Sequence, residues 1–112
     1  MSILTAIRTK GAVHLLTDGA YCDEDGRLMG TATKVVILGD VPAALAMRGM
    51  SGMFFTLSGL FAEWAGALGW DGFKDEVAAR LKQQCGAWTH LPPSAHIFEF
   101  VVVGWSPTRG PD

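Results

Sequence analysis

Cysteine is scarce in this chain: Cys22 and Cys85 are the only two in 112 residues, far apart and outside any C-x-x-C spacing. A disulfide scaffold or a zinc module needs more of them. Basic charge is scarce as well. Nine Lys and Arg stand against eleven Asp and Glu, for a net charge of -2, and no basic run occurs. The electrostatic footprint of a phosphate-backbone binder is therefore missing, and nucleic acid is not an expected partner. Charged residues make up only 18% of the chain and hydrophobic ones 49%, which excludes intrinsic disorder and leaves ample material for a core. The first residues, Met1-Ser2-Ile3-Leu4-Thr5, lack a basic segment followed by an apolar one, so no secretory signal is read and a reduced, cytoplasmic setting is expected.

The familiar chemical motifs are missing too. There is no phosphate-binding G-x-x-x-x-G-K-[ST], no G-x-G-x-x-G after a strand, no G-x-S-x-G and no H-E-x-x-H. Asp23-Glu24-Asp25-Gly26 has the start of a calcium loop but not its distal glutamate, and reads as a solvated turn. His14, His90 and His96 share no helical face, so neither a metal nor another cofactor is expected. With no repeats, low-complexity tracts or linkers, residues 1–112 read as one domain.

What the sequence has is a change of period. Residues 2–9 and 12–18 are apolar, β-prone runs joined by Lys10-Gly11, the pattern of a hairpin. Residues 27–33, 34–38 and 43–49 read as further short stretches of the same kind, separated by turn signals. From residue 50 to 70 only Glu63 is charged, which raises a membrane span. Helical phasing argues against it. Met53, Phe54, Leu57, Leu60, Phe61, Trp64 and Leu68 fall on one face, and small or polar residues such as Gly52, Thr56, Gly59 and Gly66 on the other. No membrane partner is expected. Gly69 ends this helix, and a second one is predicted over 71–88, with Asp71 as its cap and Phe73, Val77, Leu81, Cys85 and Trp88 inward. After the breaker His90-Leu91-Pro92-Pro93-Ser94, residues 95–105 read as a buried strand and 106–112 as a turn-like tail. Trp64 and Trp88 are expected in the core, and Trp70 and Trp105, at element ends, at an interface. The fold class is α+β.

One constellation is more specific. Ser2 becomes the first residue once Met1 is removed, which a small second residue permits. A chain-terminal Ser can use its own α-amine as general base, because that amine has a near-neutral pKa and lies beside the hydroxyl. A nearby lysine ammonium lowers the pKa of base and nucleophile, and a carboxylate holds that lysine in place. Ser2, Lys34 and Asp18 form such a set. Taken singly each also has a plain structural reading: a common second residue, a strand-edge charge and half of an Asp-Gly turn.

The stretches SILTAIRTKGAVHLLTDGA, TATKVVILGD and AALAMRGMSG, followed by the helix pair and FEFVVVGWSPTRGPD, resemble the proteasome β-type subunits and their bacterial protease relatives, which are N-terminal-nucleophile (Ntn) hydrolases. The resemblance implies antiparallel sheets around a central helix pair, and it covers the first half of that family's fold, so a truncated domain is expected. It implies a catalytic set of Ser2, Asp18 and Lys34, with the Gly49 N–H as oxyanion donor. Tyr21, Ala32 and Met47 would border the pocket for the first substrate side chain. Three functions are open: a peptide or amide hydrolase acting through Ser2, a non-catalytic, self-associating assembly protein of the same fold, or an unrelated α+β binding domain. The resemblance implies a homo-oligomer and a peptide substrate as partners. A half-length fold also leaves apolar surface and an open sheet edge that favour self-association.

Overall fold

The computed structural model describes residues 3–49 and 51–112. Strands β1 (Leu4–Arg8) and β2 (Val13–Thr17) form an antiparallel hairpin in which Ile7 faces His14. Its turn is closed by Thr9, whose hydroxyl accepts the Ala12 N–H at 3.1 Å and whose own N–H donates to the Ala12 carbonyl. A second, smaller hairpin joins β3 (Ala20–Cys22) to β4 (Leu28–Thr31). The Asp23 carboxylate caps its turn by accepting the Asp25 and Arg27 N–H groups at 2.9 and 2.8 Å, and Gly26 supplies a φ of 80°. The acidic segment is thus a turn held by its own side chain.

The remaining strands, β5 (Val35–Ile37), β6 (Ala43–Gly49), β7 (Phe98–Ser106) and β8 (Gly110–Pro111), make one antiparallel sheet in that order. Alternation along β6 explains its two faces. Ala43, Leu45 and Met47 are buried in the main core with the helix residues, whereas Ala44, Ala46 and Arg48 turn toward the side on which the β1–β2 hairpin lies. The molecule is therefore layered as helix, four-stranded sheet and two-stranded hairpin. The mixed α+β class with antiparallel sheets is as expected.

Helix α1 (Ser51–Ala87) is interrupted at Gly69, whose φ of 70° and ψ of 174° no helix contains. The chain reverses there. In an unbroken helix Phe61 and Phe73 would stand about 18 Å apart at ~1.5 Å per residue. Instead their ring centroids are 5.5 Å apart, and the Arg80 guanidinium lies 5.9 Å from the Trp64 ring. The two arms thus pack as an antiparallel pair. Phe61 is completely buried and touches Trp64, Phe73 and Phe100, so it ties both arms to β7. The glycines of the outer helix face meet nothing: a Cβ on Gly52, Gly59 or Gly66 would find no atom within 4 Å. Among the described residues no helix is long and apolar enough to cross a membrane.

Residues 20–22 add a short strand, since Ala20 and Tyr21 find partners in Thr31 and Gly30. Three expectations need correction. The stretch from 95 begins with a short 3-10 turn, Pro93–His96, and pairing starts only at Phe98. The tail is not merely turn-like, because Gly110–Pro111 pairs with Ser106 and Trp105. Trp70 is not interfacial. It is buried at 4% exposure, its ring lies against Gly104, and its indole N–H donates to Asp112 at 3.2 Å.

Candidate functional site

Lys34 sits immediately before β5, and Asp18 immediately after β2. The Lys34 Nζ lies 2.5 Å from Asp18 Oδ1. Asp18 Oδ2 accepts the Ile3 N–H at 2.8 Å, and the Asp18 N–H in turn donates to the Ile3 carbonyl at 3.3 Å. Both carboxylate oxygens are therefore committed, one to the ammonium and one to the backbone beside Ser2. The lysine side chain is only 13% exposed and the aspartate 28%, so a solvated strand-edge charge does not describe Lys34. The ammonium, and then the Ile3 N–H, hold the Asp18 carboxyl below the usual carboxylate range. Asp18 is accordingly ionised at neutral pH and holds the Lys34 side chain in place.

Gly49 ends β6. Because Val35 lies opposite Ala46, Lys34 and Gly49 belong to the same end of the sheet. Gly49 has a φ of 137°, and a Cβ there would come 2.9 Å from the Phe98 Cβ and 3.0 Å from the Ile97 carbonyl. Only glycine suits that position. Next to it the Arg48 Nε lies 3.4 Å from Glu99, its cross-strand partner. Ser2 lies outside the described residues.

The three pocket candidates differ in their surroundings. Tyr21 is half exposed on β3, and its ring covers Gly30 across the strand pair. Ala32 is exposed and donates its N–H to the Gly19 carbonyl at 2.8 Å. Met47 is buried in the main core, 4% exposed. Among the described residues no group of three His, Cys, Asp or Glu could hold a metal ion.

Two features escaped the sequence. The Ile3 N–H completes the Asp18 site, but a backbone donor leaves no trace in residue identity. At the far end of the sheet, Asp112, with a side chain 4% exposed, gathers Lys74, the Arg109 guanidinium at 2.9 Å and the Trp70 indole. These donors, Lys74 first, hold the Asp112 carboxyl well below the usual range. The cluster fastens the tail beside the Gly69 reversal, and the spacing of 38 and 42 residues to Lys74 and Trp70 gives no local signal of it. No family model matches the chain, and no curated protein matches its sequence.

Proposed function

We propose that this chain is an N-terminal-nucleophile hydrolase of the proteasome β-subunit type, cleaving a peptide or amide bond with Ser2 after Met1 is removed. The reading is supported above all by the Lys34–Asp18 pair tied to the Ile3 N–H, one peptide bond from Ser2. In this reading the Ser2 hydroxyl adds to the substrate carbonyl and its proton passes to the Ser2 α-amine. Lys34 favours the neutral amine and stabilises negative charge developing at the hydroxyl oxygen. The Gly49 N–H receives the oxyanion. The leaving amine then takes the proton, an acyl-Ser2 ester remains, and water hydrolyses it. Tyr21 and Ala32, which are exposed, border the substrate in this reading, whereas Met47 faces the core.

The experiment is hydrolysis of short fluorogenic peptide amides by protein whose intact mass shows loss of Met1. Wild type should turn over substrate, and Ser2→Ala and Lys34→Met should each lose at least about 100-fold, since each removes a group that acts in the transition state. Equal hydrolysis by Ser2→Ala and wild type refutes the reading.

A second reading is favoured by a separate observation, the large apolar residues left in water. Ile3, Ile7 and Leu16 lie on the hairpin, and Leu28, Met29, Ile37 and Phe55 lie elsewhere, each about half exposed or more. Such surface suits a non-catalytic, self-associating assembly protein of the same fold. Sedimentation together with peptide hydrolysis separates the two: if wild type and Ser2→Ala both assemble while neither cleaves a peptide amide, the second reading holds.

A further inference from the structure

Successive side chains of β6 point to opposite faces, so Met47 enters the core while Arg48 turns to the side on which the β1–β2 hairpin lies. That hairpin carries Asp18 at one end and leads back along β1 toward Ser2. Arg48 is also joined by its own peptide bond to Gly49, whose N–H is the oxyanion donor in the hydrolase reading. The backbone there is held in register. Arg48 and Gly49 pair with Glu99 and Phe98 of β7, and Gly49 lies too close to Phe98 and the Ile97 carbonyl to admit a Cβ. A cation is thus mounted on a fixed strand, one residue from the place where the scissile carbonyl would sit.

The two acids at this end of the sheet are not equally committed. Asp18 gives one oxygen to Lys34 and the other to the Ile3 N–H, and its side chain is 28% exposed. Glu99 is 70% exposed, and it meets the Arg48 Nε at 3.4 Å from a side chain itself 42% exposed. An ion pair so placed is weak, because water screens both charges and two long side chains must be ordered to make it. A carboxylate brought by a substrate can compete with Glu99 for the guanidinium. Two parallel N–H bonds to one carboxylate make that the stronger contact.

We propose that Arg48 makes this site selective for acidic peptides, by gripping a Glu or Asp side chain next to the residue whose carbonyl is attacked. The proposal rests on the hydrolase reading, since it takes the Gly49 N–H as the oxyanion donor. In that reading the side chain of the attacked residue lies against Tyr21 and Ala32. Its neighbours in an extended peptide point the opposite way, which leaves one of them for Arg48. Glu99 balances the guanidinium charge until the substrate carboxylate takes its place.

The test uses internally quenched peptides that carry Glu or Gln either just before or just after the attacked residue, with the cut located by mass spectrometry. With wild type, one of the two Glu peptides should exceed its Gln counterpart at least about tenfold in kcat/KM, mainly through KM, and salt should shrink that ratio. The position that responds shows on which side of the bond the carboxylate sits. Arg48→Gln should bring the ratio close to one, Arg48→Lys should keep part of it, and Glu99→Gln should raise it by removing the competitor. The ratio is read within each variant, so a general loss of activity does not enter, and circular dichroism verifies the fold. Equal cleavage of Glu and Gln peptides at both positions, or a preference that survives Arg48→Gln, overturns the role of Arg48 and leaves the hydrolase reading standing. A wild type that cleaves none of the peptides overturns both.

Discussion

Replacing Gly104 by alanine separates packing from backbone entropy, because the two act with opposite sign. Gly104 lies inside β7 and is not held at positive φ. Backbone entropy alone would make the alanine variant more stable by about 0.5–1 kcal/mol. The Trp70 ring opposes this. A Cβ on Gly104 would stand 2.7 Å from two ring carbons and 2.8 Å from a third. The ring is not free to withdraw, since its N–H is bonded to Asp112 and its other side meets Phe73 at a centroid separation of 6.0 Å. Forcing a methyl group into a filled core costs about 1–3 kcal/mol, and the pinned ring puts this site at about 2–3 kcal/mol, so the net loss should be about 1–2 kcal/mol. For a domain near this size that lowers the melting temperature by roughly 4–16 °C. Thermal unfolding followed by circular dichroism measures it, with tryptophan fluorescence reporting the displaced indole. Gly66→Ala is the control: nothing lies within 4 Å of its Cβ, and the exposed helix should gain up to about 1 kcal/mol. If Gly104→Ala is as stable as wild type or more so, with an unchanged fluorescence spectrum, the packing account of Trp70 is wrong.

Acid should destabilise the fold in a defined window. Asp18 and Asp112 both have folded-state pKa values below their unfolded ones, so their stabilisation is fully present above the ordinary aspartate range and is lost as pH falls through and below it. Urea unfolding midpoints should be flat between about pH 5 and 7 and fall below about pH 4, and Asp112→Asn should flatten that fall more than Asp18→Asn. Equal slopes in wild type and Asp112→Asn would refute the assignment. Phe61→Ala should cost about 3–5 kcal/mol, since the ring is completely buried among three other aromatics. A loss below about 1 kcal/mol in chemical denaturation would mean that Phe61 does not join the helix pair to the sheet.

Local signals carried most of the fold. Lys10-Gly11, Asp23–Gly26 and the three- and four-residue steps from Met53 to Leu68 each act within a few residues, and each marks an element that forms. Gly69 was legible as a helix end because glycine alone tolerates its backbone angles cheaply. Strands β3 and β8 were not, since two or three residues carry no period and exist only because a partner lies beside them. Trp70 was misread for a related reason. Its burial depends on Gly104 and Asp112, which are distant in sequence. At the candidate site, Asp18 and Lys34 were found through family-like spacing, and the structure brings them into contact. The second bond to Asp18 comes from the Ile3 backbone, which residue identity cannot announce.

The central claim is that Ser2, freed of Met1, is a nucleophile activated beside the Lys34–Asp18 pair. Its most direct measurement is mass spectrometry of the protein after incubation with a peptidyl β-lactone, which a reactive hydroxyl opens to form an ester. The account predicts a single adduct on Ser2 in wild type, formed much faster than in Lys34→Met and absent in Ser2→Ala. A wild-type chain that retains Met1, or one that loses it and leaves Ser2 unlabelled, would contradict it.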